Sequence, residues 1–80
     1  MKQSNEIRVN ARGLSAPGPR MMVEDALQQG RAGSLRVVVS NIEALDDLRA
    51  FFAERGMMIE TDRIGDDYHI YVDLGSQGTS

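Results

Sequence analysis

Alternation of apolar and polar residues marks two strands in the first half of the chain. Ile7 and Val9 alternate with Arg8 and Asn10, which predicts a short half-buried strand that ends near residue 11. Residues 35–39 are β-branched and nearly continuously apolar. A run of this kind is typical of a strand covered on at least one face, so we expect it at the centre of a sheet.

The last third of the chain carries two more alternating runs, over residues 57–62 and 68–73. Between them lies the segment 64–67, where a glycine is followed by two aspartates. Glycine and aspartate are favoured in tight turns. The pattern therefore predicts an antiparallel hairpin.

Helical spacing replaces alternation after Pro19, which suits a first helical position because it lacks an N–H. Gly30 suits the position just past a helix end. The spacing predicts a first helix over 19–29. Its expected apolar face consists of Met22, Val23, Ala26 and Leu27.

A second helix is predicted over 42–55. Ser40 and Glu43 have the spacing of a capping box, in which two side chains satisfy backbone N–H groups at a helix start. Arg55 and Gly56 give a basic last turn followed by a stop. The apolar positions recur at intervals of three and four, and they are Ile42, Leu45, Leu48, Phe51 and Phe52.

The element order is βαβαββ, and 80 residues form one domain. Right-handed crossovers place both helices on one side of the sheet. We therefore predict an α/β (α+β) two-layer sandwich, with a four-stranded mixed sheet and two helices on one face. The domain is expected over 6–74. Residues 1–5 and 75–80 lack apolar anchors and are expected to be disordered, or, for 75–80, to begin a linker.

The net charge is −3, and it is unevenly distributed: residues 1–40 carry +3 and residues 41–80 carry −6. The arginines of the first half could form a small basic patch for nucleic acid. With aromatic residues at only 5%, the composition instead favours scattered, solvated arginines. These arginines are Arg8, Arg12, Arg20, Arg31 and Arg36.

Several classes of chemistry find no support in the composition. The chain has no cysteine, which excludes disulfides, thiolate metal sites and thiol catalysis. No apolar run approaches the roughly 20 residues of a membrane span, and the N-terminus lacks a signal-peptide core, so we expect a cytoplasmic location. Asp66, Asp67 and Asp73 lie near His69 in sequence, as a metal site would need. Alternation instead places His69 in a polar row with Asp67, Tyr71 and Asp73. We expect neither metal nor cofactor.

The segment 13–19, Gly-Leu-Ser-Ala-Pro-Gly-Pro, joins the first strand to the first helix. Its prolines stiffen the extended segment that leads into the first helix. This segment presents Ala16 at the helix N-terminus, a position favourable to an anion or a thiolate. Ser15 has no local histidine partner and is a loop residue, and the prolines remove two N–H donors that a phosphate loop would use. The candidate binding residues are Asn10, Gly13, Leu14, Ser15, Ala16, Pro17, Gly18, Pro19, Arg20 and Met21. Met21 and Met58 are expected to be exposed.

The element order and this loop resemble the TusA/SirA-like family of small sulfur-carrier proteins over about residues 6–74. The family signature reads approximately Asp-x-x-Gly-Leu-x-Cys-Pro-x-Pro, which Gly13, Leu14, Pro17 and Pro19 match. Asn10 replaces the usual aspartate of this signature, and Ala16 replaces its cysteine. The phrase Gly-Asp-Asp-Tyr-His-Ile at 65–70 is most similar to the YedF branch, found in selenium and sulfur metabolism.

The resemblance implies a cysteine persulfide that is received from a cysteine desulfurase or rhodanese and passed to a partner protein. Ala16 cannot hold sulfur, and Glu24 and Asp25 stand where the family often has basic residues. The chain as it stands is therefore predicted to be inactive in transfer and to act by protein binding or regulation. The alternatives are an active carrier represented by a Cys→Ala variant, and an RNA-binding module. A monomer is the default expectation.

Overall fold

The computed structural model describes residues 6–29 and 33–74. Its elements follow the predicted order: β1 Glu6–Asn10, α1 Gly18–Gln29, β2 Ser34–Val39, α2 Ile42–Glu54, β3 Ile59–Ile64 and β4 Asp67–Asp73. Neither of these two helices is long and apolar enough to cross a membrane. The expectations for 1–5, for 75–80 and for Gly30 as a helix stop fall outside the described residues.

The four strands form one mixed sheet in the order β1-β2-β4-β3. β1 pairs with β2 in parallel, and β4 runs antiparallel to both β2 and β3. The predicted central place of β2 is confirmed. The parallel pair needs a crossover connection, which α1 supplies, and α2 connects β2 to β3 past the position of β4.

Alternation along the strands directs one set of side chains to the helices and the other set to an uncovered face, which we call the open face. The core lies between the sheet and the two helices, as predicted for a two-layer fold. Its buried residues are Val9, Ala11, Val23, Leu35, Val37, Val39, Ala44, Leu45, Leu48, Phe51, Phe52, Ile70 and Val72. The open face has no second layer among the described residues.

Two residues assigned to the apolar helix faces are in fact exposed. Met22 retains 39% of its surface, because Pro19 and Val23 occupy the inward side of α1 and leave Met22 at its flank. Ile42 retains 51%, because it is the first residue of α2, directly after the N-cap Asn41, at the end of the helix rather than on its buried face.

The predicted capping box of Ser40 and Glu43 is wrong by one residue. Asn41 is the N-cap of α2: its backbone is extended and its side-chain Oδ1 accepts a hydrogen bond from Ala44 N–H at 2.8 Å. Serine and asparagine are both good N-cap residues, so local preference does not separate them. Ser40 is used elsewhere, since its hydroxyl accepts a hydrogen bond from Gly13 N–H.

The hairpin prediction is confirmed, with a later start. β3 begins at Ile59 rather than at Met57, and Met58 is 81% exposed before it. The strands are joined by Gly65 and Asp66, and Gly65 has a φ of +63°, a region in which a side chain would be strained. A glycine at the first position of a two-residue loop is the arrangement that favours a tight hairpin.

Candidate functional site

The loop between β1 and α1, residues 11–17, is built by short-range backbone hydrogen bonds. Gly18 N–H donates to the carbonyl of Ser15 at 2.9 Å, and Met21 N–H donates to the carbonyl of Pro17 at 3.1 Å. The Ala16–Pro17 peptide bond is cis. Ala16 is exposed and lies two residues before α1 begins at Gly18, so the loop presents residue 16 at the helix N-terminus, as the sequence predicted.

Two side chains from the β2–α2 junction hold this loop in place. Ser40 Oγ accepts from Gly13 N–H at 2.8 Å, and Asn41 Nδ2 donates to the carbonyl of Leu14 at 3.1 Å. Both contacts span 27 residues of sequence. Sequence reasoning missed these two residues as part of the site, since a polar Ser-Asn pair before a helix signals only a cap.

Two glycines of the motif have identifiable steric roles. Gly13 has a φ of +84°, where any side chain is strained. At Gly18, an added Cβ would meet the side chain of Leu14 at 3.4 Å. Leu14 therefore lies against the start of α1, and the loop turns back onto the helix.

Asn10 closes the end of β1. Its Oδ1 accepts hydrogen bonds from Arg12, at 3.2 Å from the backbone N and at 3.3 Å from Nε. An aspartate would offer the same acceptor, so the substitution at this motif position preserves the turn. Arg12 also pairs with Asp67 at 3.4 Å, which ties the loop to the hairpin.

Arg20 faces α2 rather than the loop. Its guanidinium donates to both carboxylate oxygens of Asp47, at 2.8 and 3.3 Å, and lies over the ring of Phe51 at 5.9 Å. The hydrogen bond to Asp47, and then the charge of Asp47, raise the pKa of Arg20 above its ordinary value. This arginine joins the two helices.

The carboxylates of Glu24 and Asp25 are directed to partners on the helices. Glu24 pairs with Arg55 at 3.8 Å, near the C-terminal end of α2, and Asp25 accepts a hydrogen bond from Gln29. At 1.5 Å per residue, Glu24 lies about 9 Å along the helix axis from Gly18. Their effect on a charge at position 16 is therefore weaker than the sequence spacing suggested.

Three exposed apolar side chains belong to the loop and to the first turns of the two helices. Leu14, in the loop, is 38% exposed, and Met21, in the first turn of α1, is 62% exposed. Ile42, 51% exposed, begins α2 next to Asn41, whose side chain donates to the Leu14 carbonyl. We call these three residues the loop patch. The predicted exposure of Met21 and Met58 is confirmed.

The arginines expected to be scattered are partly brought together. Arg8 and Arg36 are directly opposite each other on β1 and β2, and Arg12 lines the same cavity on the open face. Arg20 lies on the helix side, and Arg31 is outside the described residues. His69 also lines this cavity, next to Asp67. It therefore lies on the open face, where the predicted polar row placed it.

Asn41 allows the cap of α2 and the loop contact to be separated by substitution. We expect Asn41→Ala to lower the free energy of unfolding by about 1–2 kcal/mol, because Ala44 N–H loses its cap. Asn41→Ser keeps an accepting oxygen at the N-cap and loses the donor to Leu14, so its loss should be clearly smaller. Urea denaturation of the two variants measures the difference. Equal losses would show that the loop contact, rather than the cap, dominates.

Comparison with known proteins agrees with this architecture. The crystal structure of a SirA-like protein from Desulfitobacterium hafniense superposes with a TM-score of 0.76 at 22% sequence identity, covering 88% of this chain and 99% of that one. This likeness shows the shared fold. No curated protein sequence matches significantly. The family model described as Sulfurtransferase TusA matches residues 7–73, which include the whole loop and all six elements except Glu6, the first residue of β1. The chain therefore belongs to the TusA family.

Proposed function

We propose that this chain is a non-catalytic TusA-family protein that binds a sulfur-donor protein of sulfur or selenium metabolism without carrying sulfur itself. We place it in the YedF branch on the strength of the phrase at 65–70. The observation that carries the proposal is Ala16, an exposed residue without a reactive atom, in a loop whose long-range anchors are intact.

The intact loop argues for retained binding. Gly13 keeps a backbone conformation that favours glycine, and Ser40 and Asn41 satisfy the polar groups of the loop. If the loop had no remaining role, there would be no reason for all of these contacts to be preserved together. They hold residue 16 and the loop patch in one arrangement, which lowers the entropic cost of binding.

The loop patch supplies the binding surface. Leu14 is two residues before Ala16, and Met21 and Ile42 expose apolar area in the first turns of α1 and α2. Apolar residues near the centre of a contact contribute most to affinity when a partner removes them from water. The occupant we propose is a cysteine desulfurase, whose persulfide-bearing cysteine would approach residue 16.

Calorimetric titration with a cysteine desulfurase tests the proposal. We expect binding of the native chain, and Met21→Asp should weaken it about tenfold or more, because a charge is forced into the apolar contact. Met58→Asp is the matched control: Met58 is exposed beyond the C-terminal end of α2, a helix of 13 residues or about 20 Å. No binding, or equal weakening by both variants, would overturn the proposal.

The second candidate function is an active sulfur carrier whose native residue 16 is cysteine. It is favoured by the same exposure of position 16 at the start of α1. Sequencing codon 16 of the native gene separates the two functions. An alanine codon supports the binding role, and a cysteine codon supports the carrier.

A further inference from the structure

The open face of the sheet contains a cavity of about 300 Å³ that is separate from the loop patch. Strand pairing builds it, because Arg8 is opposite Arg36 and Val38 is opposite His69. Directly opposed residues on neighbouring strands share a face of the sheet. Arg12 lies at the end of the cavity nearest the β1–α1 loop.

Two guanidinium groups of this cavity already share an oxyanion. Glu6 places one carboxylate oxygen 3.0 Å from Arg8 Nε and the other 3.5 Å from Arg36. Like charges opposite each other in a sheet repel, and a carboxylate between them relieves that repulsion. Glu6 thus shows the kind of group that this pair of arginines holds.

The internal ion pairs are weak enough to be replaced. The side chains of Arg8 and Arg12 are more than half exposed, and the Arg12–Asp67 and Arg36–Glu6 distances are 3.4 and 3.5 Å. Pairs with a largely exposed arginine, as in Arg8–Glu6 and Arg12–Asp67, contribute about 0–1 kcal/mol each. A ligand with more charge and more acceptor oxygens than one carboxylate competes with them readily.

Two polar atoms beside the cavity have unmet hydrogen-bonding capacity. Arg36 Nε and His69 Nδ1 are shielded from solvent and have no hydrogen-bond partner within the part of the chain that is described. Unsatisfied buried polar atoms are uncommon because each one costs free energy. Both residues line the cavity, so a ligand bound there is a partner that the described chain does not itself supply.

Tyr71 orients the two side chains that carry these atoms. The Arg36 guanidinium lies over its ring at 5.2 Å, and the His69 ring is stacked with it at 6.3 Å and 27°. Stacking limits the conformations available to both side chains before a ligand arrives. The cavity is thereby partly preorganised.

The charge pattern of the open face limits the size of the ligand. Beyond β4, the residues opposite Tyr71 and His69 are Glu60 and Asp62. A nucleic-acid strand crossing the sheet would meet these carboxylates after leaving the arginines, at an electrostatic cost. The positive charge is confined to the β1–β2 half, and the cavity volume suits a small molecule.

We propose that this cavity binds a small, doubly charged tetrahedral oxyanion, phosphate or sulfate, either free or as the terminal group of a small metabolite. Arg8 and Arg36 hold two of its oxygens in place of the Glu6 carboxylate. Arg12 and His69 donate from the other side. The site lies on the open face, and the loop that presents residue 16 contributes Arg12 to it.

NMR titration of the whole chain with sodium phosphate or sodium sulfate tests this site, with sodium chloride at matched ionic strength as the reference. Amide shifts along β1 and β2 should saturate with either tetrahedral anion and not with chloride. Inorganic phosphate and sulfate are compared directly, and a phosphate monoester tests the terminal-group case. Linear shifts equal to those with chloride would overturn the proposal, as would tighter binding of a single-stranded RNA at the same residues.

Three variants sharpen the test. Arg36→Gln should weaken anion binding about tenfold or more, since one charge-assisted contact is lost. Glu6→Gln should strengthen binding, because it removes the carboxylate that competes with the anion for Arg8 and Arg36. Glu6 lies at the surface, so this substitution should leave the fold intact. Arg49→Gln, on α2, changes net charge by the same amount away from the cavity and should have little effect. Equal weakening by Arg36→Gln and Arg49→Gln, or weaker binding by Glu6→Gln, would contradict the assignment.

Discussion

Ala16→Cys should convert the chain from one that cannot accept sulfur into one that is labelled once per molecule by a cysteine desulfurase and labelled cysteine. Residue 16 is exposed, and the anchored loop holds it at the N-terminus of α1. The helix dipole there favours a thiolate and should hold the pKa of the new thiol below the ordinary value of about 8.5. Because the native chain has no cysteine, any label reports this position alone.

Ala50→Cys is the matched control for that variant, since Ala50 is exposed in the middle of α2. At neutral pH, iodoacetamide should modify Ala16→Cys several-fold faster than Ala50→Cys, because the first thiol has the larger thiolate fraction. Mass spectrometry of the intact chain follows both reactions. An equal or slower reaction at position 16 would mean that the loop does not present this side chain as described.

Phe52→Ala should remove a large part of the free energy of unfolding. Phe52 is fully buried and meets Phe51 edge to face, with ring centroids 5.2 Å apart. Truncation of a buried phenylalanine costs about 3–5 kcal/mol, against about 5–15 kcal/mol for the whole stability of a typical domain. Urea denaturation followed by circular dichroism measures the loss.

Ile42→Ala removes a large apolar side chain from a half-exposed position of the same helix and serves as the control. It should cost less than about 1 kcal/mol, because little apolar area returns to water. A small loss for Phe52→Ala, similar to that of Ile42→Ala, would contradict the description of the core.

The fold could be predicted because local patterns agree with the sheet that forms. Residues 35–39 are central and buried on alternate positions, and the spacing of Leu45, Leu48 and Phe52 matches the buried face of α2. Apart from Met22, which lies inside α1, the errors lie at element ends. The spacing of Ser40 and Glu43 predicts Ser40 as the cap, whereas in the structure the hydroxyl of Ser40 bonds to Gly13, far away in sequence.

For the candidate site, too, features encoded by nearby residues could be predicted and features that depend on distant contacts could not. The loop, the exposure of Ala16 and the exposed Met21 follow from prolines and helical spacing close by in sequence. The anchors from Ser40 and Asn41 join residues far apart in sequence, which no local pattern encodes. The cavity on the open face needs the strand order β1-β2-β4-β3, because alternation alone does not say which strands are neighbours.

Inhibition of sulfur transfer tests the proposed binding role most directly. A cysteine desulfurase passes labelled sulfur to a TusA-family carrier that has the motif cysteine, in the presence of increasing amounts of this chain. We predict that the native chain slows labelling of the carrier in a concentration-dependent manner, remains unlabelled itself, and loses this effect with Met21→Asp. Unchanged labelling of the carrier at large excess of the native chain would contradict the account.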